Sequence, residues 1–221
     1  MRLSLTIISI ILALTTHLNA ADIVCTPGTL GNAVGNNTDA TYLKISGTIN
    51  ATDFDFISKK MTALTTLDLS EASIETYHGD PIITGRTDFK ANTLPEYALA
   101  GTNISQLMLP INLLEIGEGA LLGTPIKAIN LPASVEIIGN SAFVNCDSLT
   151  SIELKCEIIR DYAFMDCDNL NSVVNGNAAD AINKAVFKNC KSLTSVIIPG
   201  SVTKIDNQAF GWCDNIKGGV W

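Results

Sequence analysis

Residues 138–154 read IGNSAFVNCDSLTSIEL, and the same pattern returns at residues 182–199 as INKAVFKNCKSLTSVIIP. Further copies begin at Ile159 and Ile205, and two weaker copies, with Leu and Thr replacing Phe and Cys, begin at Leu94 and Ile116. In the strong copies a phenylalanine, followed three residues later by a cysteine, recurs every 21–23 residues: Phe143, Phe164, Phe187 and Phe210, with Cys146, Cys167, Cys190 and Cys213. Six copies that keep both spacing and residue type indicate a repeat architecture.

Each copy also contains an L-x-x-I-x-L segment, for example Leu149, Ile152 and Leu154. The alternation over its last residues predicts a short strand with one face turned inward. The A-F-x-x-C segment is predicted to form the opposite wall, with Phe and Cys filling the interior. Ordering one unit costs more conformational entropy than the burial of its own apolar side chains returns. One copy therefore cannot fold alone, and the copies are predicted to stack into a solenoid.

The pattern I-G-x-x-A-F-x-x-C-x-x-L-x-x-I-x-L resembles the repeat of the BspA-like (Treponema pallidum type) leucine-rich repeat family. The resemblance covers residues 94–221. Two departures are the segment NGNAADA at residues 175–181, where a proline turn is expected, and Val186 in place of the usual alanine. The resemblance implies an α/β leucine-rich repeat solenoid of about six repeats, with short parallel strands on its concave face.

The same resemblance implies a non-enzymatic secreted or cell-surface protein that binds other proteins, for example in host adhesion. The alternative is a glycan-binding accessory protein of a bacterial surface system. Family resemblance transfers a fold better than it transfers a ligand, because function depends on the individual site.

Residues 1–20 have the features of a secretory signal peptide: Arg2, an apolar run from Leu5 to Leu14, and Ala20 before the expected cleavage point. The apolar run is too short to span a membrane. The sequence therefore predicts an exported protein, either secreted, cell-surface or periplasmic, without a membrane span. Acidic residues outnumber basic ones by 22 to 14, for a formal net charge of −8. This charge repels phosphate backbones, so a nucleic-acid partner is excluded.

Residues 21–93 lack the repeat and are predicted to form an N-terminal α+β cap. Residues 42–49 alternate as a strand, and residues 53–61 read as a short amphipathic helix. Thr26, followed by a proline, is predicted to cap an earlier helix. The polar stretch 71–93 is predicted to be a surface excursion and the most mobile element.

Candidate catalytic and metal-binding residues are few. His78 is the only histidine outside the predicted signal peptide, and a base without an adjacent nucleophile does not make a triad. The cysteines lack the short C-x-x-C pairs of zinc sites, and those of the repeat are predicted to be buried free thiols. Whether Cys25 or Cys156 forms a disulfide is left open. Asp53 is interpreted as a helix start rather than half of an acid–base pair. We therefore predict no catalytic residues, no metal and no cofactor.

The candidate ligand-binding residues follow from the strands, because the x positions of L-x-x-I-x-L point away from the core and line the concave face. This face is polar, carries small side chains and has little charge. The candidates are Gln106, Met108, Lys127, Asn130, Thr150, Glu153, Asn171, Val174, Thr194 and Ile197.

The C-terminal end of the array lacks a visible polar cap. Either Val220 and Trp221 close it, or an exposed edge remains that self-associates with another chain.

Overall fold

The structure is a computed structural model that describes residues 20–175 and 179–217. The predicted signal peptide and the residues proposed to close the C-terminal end fall outside these ranges, apart from Ala20.

The described chain winds through about eight turns, whose strands form parallel ladders. The strands are β1 (Ala20–Cys25), β2 (Tyr42–Ile49), β3 (Thr66–Ile74), β4 (Tyr77–Ile82), β5 (Arg86–Phe89), β6 (Thr93–Leu94), β7 (Gln106–Met108), β8 (Glu115–Ile116), β9 (Ile137–Ile138), β10 (Ser151–Leu154), β11 (Ile158–Ile159), β12 (Ser172–Asn175), β13 (Ala181–Ile182), β14 (Ser195–Ile197) and β15 (Lys204–Ile205). The two helices of the described residues are α1 (Leu30–Val34) and α2 (Ala51–Lys60).

The first ladder contains the L-x-x-I-x-L segments. It consists of the parallel sheet β1-β2-β3-β7 and the parallel sheet β10-β12-β14. The turn between them has no strand of its own, but Lys127 N donates to Ser105 O (3.4 Å) and Thr150 N donates to Lys127 O (3.3 Å), so the ladder continues through it. The predicted solenoid with short parallel strands is confirmed.

Two further walls complete each turn. The second ladder holds the short strands β6, β8, β9 and β11 in one parallel sheet, followed by the pair β13 and β15. The third wall is the A-F-x-x-C segment, where backbone groups bridge successive coils. For example, Phe143 N donates to Ala163 O (2.8 Å) and Phe164 N donates to Val186 O (2.8 Å). Backbone groups of one coil are therefore satisfied by the next, which explains why the copies are stable only as a stack.

Stacked aromatic rings run along the interior. The ring of Phe143 lies 4.9 Å from that of Phe164, Phe164 lies 5.5 Å from Phe187, and Phe187 lies 5.5 Å from Phe210, with interplanar angles of 11–12°. The first three side chains are fully buried, whereas Phe210 in the last described coil is partly exposed. Offset stacking of this kind adds about 0.5–1.5 kcal/mol per pair beyond area burial.

The thiol groups of the cysteine ladder, Cys146, Cys167, Cys190 and Cys213, also form hydrogen bonds. Cys167 Sγ donates to Phe143 O (3.0 Å), and Cys190 Sγ donates to Phe164 O (3.1 Å), so each thiol reaches the carbonyl group of the preceding coil. In the weaker copy, Thr124 Oγ1 instead donates to Leu121 O of its own coil (2.7 Å). The sulfur's longer reach links neighbouring coils through weak hydrogen bonds that a small apolar residue would not make.

The N-terminal region continues the solenoid instead of only covering its end. Strands β1, β2 and β3 lie in the same sheet as β7, and α1 and α2 are the only helices of the described residues. The predicted strand at 42–49 and the predicted helix near 53–61 are confirmed. The expectation for Thr26 was wrong, because α1 begins at Leu30 and its N-cap is Thr29, which makes no side-chain capping bond.

The cap of α1 comes from a distant residue. Asp53 Oδ1 accepts from Leu30 N (3.0 Å), while Oδ2 accepts from Gly28 N (2.8 Å) and from Asn50 N (2.9 Å). The last bond belongs to the capping box that begins α2. One buried carboxylate therefore fixes the N-terminal ends of both helices, which agrees with its interpretation as a helix start.

The surface excursion is a β-hairpin. Strands β4 and β5 pair antiparallel, with Tyr77 opposite Phe89 and His78 opposite Asp88. The first four residues of the predicted excursion, 71–74, belong to β3 and pair with β2. Near the tip, the Ile83 N–H lies 3.5 Å from Asp55 Oδ1 of α2, which holds the hairpin against the N-terminal coils.

Candidate binding surface

The outward side of the first ladder, called the strand face from here on, contains the predicted ligand-binding residues. In β10 the side chains of Ser151 and Glu153 are exposed and those of Ile152 and Leu154 are buried, as the alternation of a half-buried strand requires. The structure leaves these predicted residues exposed: Gln106, Lys127, Asn130, Thr150, Glu153, Asn171, Val174, Thr194 and Ile197, with Met108 half-buried.

The register aligns the predicted residues in rows across the coils. Glu153 lies opposite Val174, and Val174 lies opposite Ile197. Thr150, Asn171 and Thr194 form a second row, because Asn171 N donates to Thr150 O (3.0 Å) and Thr194 N donates to Asn171 O (3.2 Å). Gln106 and Met108 lie on β7, in the neighbouring sheet, and Lys127 and Asn130 lie in the coil without a strand.

Val174 and Ile197 form an apolar patch at one end of the strand face, called the apolar point from here on. Val174 is 47% exposed and Ile197 is 54% exposed, and they occupy paired positions on adjacent strands about 5 Å apart. Their neighbour in the row, Glu153, forms an ion pair with Lys155 (3.0 Å). Two adjoining aliphatic side chains in water provide apolar area that a partner can cover.

The strand face extends further toward the N-terminus than the sequence reasoning proposed. Asp22, Lys44 and Asp68 continue the row that contains Met108, because β1, β2 and β3 pair with β7 in one sheet. Lys44 forms an ion pair with Glu71. Residues 64–69 have an L-x-x-L-x-L pattern that indicates such a strand, but they lie within residues 21–93, which lack the repeat and are predicted to form a cap. The missed part of the face is more highly charged than the rest.

A second concavity, the hairpin cleft, lies between the β4–β5 hairpin and the second ladder. Its volume is about 340 Å³, and its lining includes His78, Arg86, Asp88, Phe89 and Glu96. The His78 Nδ1 atom lies 2.6 Å from Asp88 Oδ1, and this hydrogen bond is the main reason that the pKa of Asp88 is lowered.

The His78–Asp88 pair resembles half of a catalytic triad. Among the cleft-lining residues, however, the hydroxyl groups are only those of threonines, Thr76 and Thr93, and there is no serine or cysteine. Both members of the pair are exposed, so solvent screens their interaction. The geometry supplies no activated nucleophile beside the base. The cleft was not predicted, because it depends on how the hairpin packs against a ladder.

The five buried cysteines are inert by their environment, whereas Cys213 is partly exposed and a hydrogen bond with Cys190 lowers its pKa. The structure has all six as free thiols, and only Cys213 is partly exposed. Burial raises the pKa of Cys146 to about 11 and that of Cys156 to about 11. A thiol that does not ionise near neutral pH is neither a nucleophile nor a ready metal ligand. Within residues 20–175 and 179–217, no group of three or more His, Cys, Asp or Glu side chains could hold a metal ion.

The stacked coils, parallel ladders and exposed strand face together define a leucine-rich repeat solenoid. The family model for the BspA type leucine-rich repeat region matches residues 92–217 in six copies, and the chain belongs to this family. No curated protein sequence matches it significantly.

Solved structures support the fold. The leucine-rich repeat protein of T. pallidum is similar with a TM-score of 0.54 and 17% identity, over 89% of this chain and 71% of that one. A leucine-rich repeat protein from Bacteroides ovatus is similar with a TM-score of 0.56 and 20% identity, over 88% of this chain and 47% of that one. This chain therefore spans less than half of the second structure. In the part of the chain that the structure describes, no helix is long and apolar enough to cross a membrane.

Proposed function

We propose that this protein is a non-enzymatic binding scaffold, secreted or displayed at the cell surface, whose strand face recognises another protein. The observation that supports this proposal is the row of exposed side chains held in register across the coils, with Val174 and Ile197 as its apolar point. Adhesion to a host matrix or surface protein is the role we propose for that contact.

The chemistry of the strand face suits a protein partner. Interface cores are depleted in charge and contain apolar anchors, and a polar rim surrounds them. Around Val174 and Ile197, the flanking positions in the same strands are Ser172 and Ser195, with Asn171 and Thr194 beside them. These small side chains lose little conformational entropy when a partner orders them. Their hydroxyl and amide groups can donate to or accept from a partner's backbone.

The test is direct binding of the purified chain to a panel of immobilised extracellular matrix proteins, measured by surface plasmon resonance. The double variant Val174→Ser, Ile197→Ser removes the apolar point and keeps strand-compatible polar side chains. The matched control is Ile111→Ser, because Ile111 is 83% exposed but lies in the turn after the first ladder. We expect the double variant to bind at least about tenfold more weakly, which corresponds to about 1.4 kcal/mol, and the control to bind like the wild type.

Equal loss in the double variant and in the Ile111 control would show that the strand face does not carry recognition. Failure of the wild type to bind any protein of the panel would remove the support for adhesion. The glycan-binding alternative has little support on this face, because the predicted binding residues include no aromatic side chain on which a sugar could stack.

A further inference from the structure

The A-F-x-x-C wall contains a recurring left-handed backbone conformation, which residues with a Cβ adopt less readily than glycine. In every described coil of the array, two residues four positions apart have positive φ. At the second of these positions, five coils have residues that tolerate the left-handed region, and the sixth has a tryptophan: Gly101, Gly123, Asn145, Asp166, Asn189 and Trp212. A bulky residue with φ of 59° is an outlier.

The packing of Trp212 does not explain its presence. Its side chain is 65% exposed, so burial returns little of the cost of the left-handed backbone. Tyr97 and Tyr162, which occupy the first left-handed position in their coils, are both half-buried, and Tyr97 donates to Glu118 Oε1 (2.8 Å). Strained residues that the fold does not need are concentrated at functional sites.

A cation lies directly on the exposed indole. The Lys188 Nζ atom is 4.6 Å from the centroid of the Trp212 ring. Most other lysines with a described partner form ion pairs with carboxylates, such as Lys191 with Asp168 and Lys204 with Asp206. Lys188 has no carboxylate within ion-pair distance among the described residues, so its ammonium donors remain available to a ligand next to the ring.

The immediate surroundings of the ring are polar. Asn189 occupies the same position one coil earlier, and its backbone N–H donates to Gly211 O (2.7 Å) beside the tryptophan. Its Nδ2 donates to Asp166 Oδ1 (2.6 Å), and its side-chain oxygen accepts no hydrogen bond from the described residues. Gln208, Asp214 and Asn215 are exposed nearby in the same coil. These polar donors and acceptors match the hydroxyl groups of a carbohydrate.

We propose that Trp212, Lys188 and Asn189 form a saccharide-binding platform on the A-F-x-x-C wall. One face of a pyranose ring is lined with C–H groups, which are attracted to the π-system of an indole. The Lys188 ammonium lies over the Trp212 ring, so the pyranose would stack on the exposed part of the ring that the ammonium leaves uncovered. The hydroxyl groups at the rim of the ring match the ammonium donors of Lys188 and the amide oxygen of Asn189. The ligand class is therefore a polysaccharide with exposed pyranose rings, and Lys188 would serve either a hydroxyl group or a uronate carboxylate. This site is separate from the strand face and does not rest on its proposed function.

The experiment uses the purified chain with the background substitution Trp221→Phe, which leaves Trp212 as its only tryptophan. Emission of Trp212 is recorded during titration with a neutral polysaccharide, arabinoxylan, and with an acidic one, polygalacturonate. Affinity electrophoresis in gels containing each polymer provides a second measurement. The informative variant is Trp212→Asn, because asparagine occupies this position in two other coils and suits its backbone.

We expect saturable change in Trp212 emission with at least one polymer, and at least tenfold weaker retention of the Trp212→Asn variant in the gel. The melting temperature of that variant should equal or exceed that of the wild type. Lys188→Met should weaken binding of polygalacturonate more than that of arabinoxylan if a carboxylate is bound, and both equally if a hydroxyl group is bound. The variant Val174→Ser, Ile197→Ser should bind both polymers like the wild type.

Three results would overturn the proposal. The first is that neither polymer binds the wild-type chain. The second is that Trp212→Asn binds as tightly as the wild type. The third is that Trp212→Asn lowers the melting temperature while Trp212→Phe restores it without restoring binding, because that pattern would identify the indole as a lid over the last coil.

Discussion

Replacing Asp53 with asparagine should weaken the N-terminal coils more than any other single-atom change in the region. The carboxylate is 1% exposed and accepts three backbone hydrogen bonds, at 2.8, 2.9 and 3.0 Å. Oδ2 serves two of these donors and Oδ1 serves one. An asparagine in the same place has one oxygen, so its best orientation keeps the two donors and turns its NH₂ group toward the N–H of Leu30.

The expected loss follows from these three bonds. Hydrogen bonds to a charged group are worth about 1.5–3 kcal/mol, and those between neutral groups about 0.5–1.5 kcal/mol. Asp53→Asn loses one hydrogen bond to a charged group and converts two others to hydrogen bonds between neutral groups. We therefore expect the free energy of unfolding to fall by about 3–5 kcal/mol. Asp55→Asn is the matched control, because Asp55 lies on the same helix, pairs with the exposed Lys59, and would keep as asparagine one oxygen for the Ile83 N–H. That pair should contribute less than about 1 kcal/mol.

The measurement is native-state hydrogen exchange by mass spectrometry on peptides from residues 20–60, together with urea unfolding followed by circular dichroism. Exchange is needed because stacked coils open locally, and a global transition can hide a local loss. We expect protection of the 20–60 peptides to fall strongly in Asp53→Asn and only slightly in Asp55→Asn. Equal protection in the two variants would refute the role assigned to the buried carboxylate.

Three further predictions concern the repeat array. Gly123→Ala should lower the free energy of thermal unfolding by about 1–2 kcal/mol, because φ of Gly123 is 68° and an added Cβ meets no atom within 4 Å, so only the backbone is strained. Gly200→Ala, with equal space and no positive φ, should change that free energy by less than about 0.5 kcal/mol. Equal effects of the two variants would contradict this reasoning. Phe164→Leu should cost about 1–3 kcal/mol in urea unfolding because two stacked ring pairs are lost, whereas Phe164→Ala should cost about 3–5 kcal/mol; a harmless Phe164→Ala would show that the ring stack does not support the interior. In native protein at pH 8, iodoacetamide should label Cys213 first, since it is the partly exposed thiol and burial raises the pKa of Cys146 to about 11. Unfolding exposes Cys146 and returns its pKa to about 9, so the contribution of the neutral buried thiol to the free energy of unfolding should be lost as the pH rises from about 9 to about 11. Early labelling of Cys146 in the native protein would contradict its burial.

Much of the fold follows from the repeat alone. Phe143, Phe164 and Phe187 recur at a fixed spacing, and any stacking of identical units must bring them into one column. The alternation in residues 151–154 likewise determines which side chains of the strand face are exposed. Such features are local and periodic, so a single sequence contains them in full.

Other features depend on contacts between distant segments. The sequence places Thr26 in a favourable capping context, but the N-terminus of α1 is instead held by Asp53, which lies 23 residues from Leu30. The hairpin cleft likewise requires β4 and β5 to pack against the second ladder, and no local pattern specifies that packing.

The repeat alone requires this chain to stack into a solenoid, because the apolar residues of one copy cannot offset its conformational entropy without a neighbour. The positions of the irregular parts emerge from the folded chain: the three N-terminal strands that extend the first ladder, the carboxylate that caps two helices, and the tryptophan exposed on the third wall. This difference arises because a repeated interaction is encoded at every copy, whereas a contact made once depends on the positions of two segments that the chain brings together only when it folds.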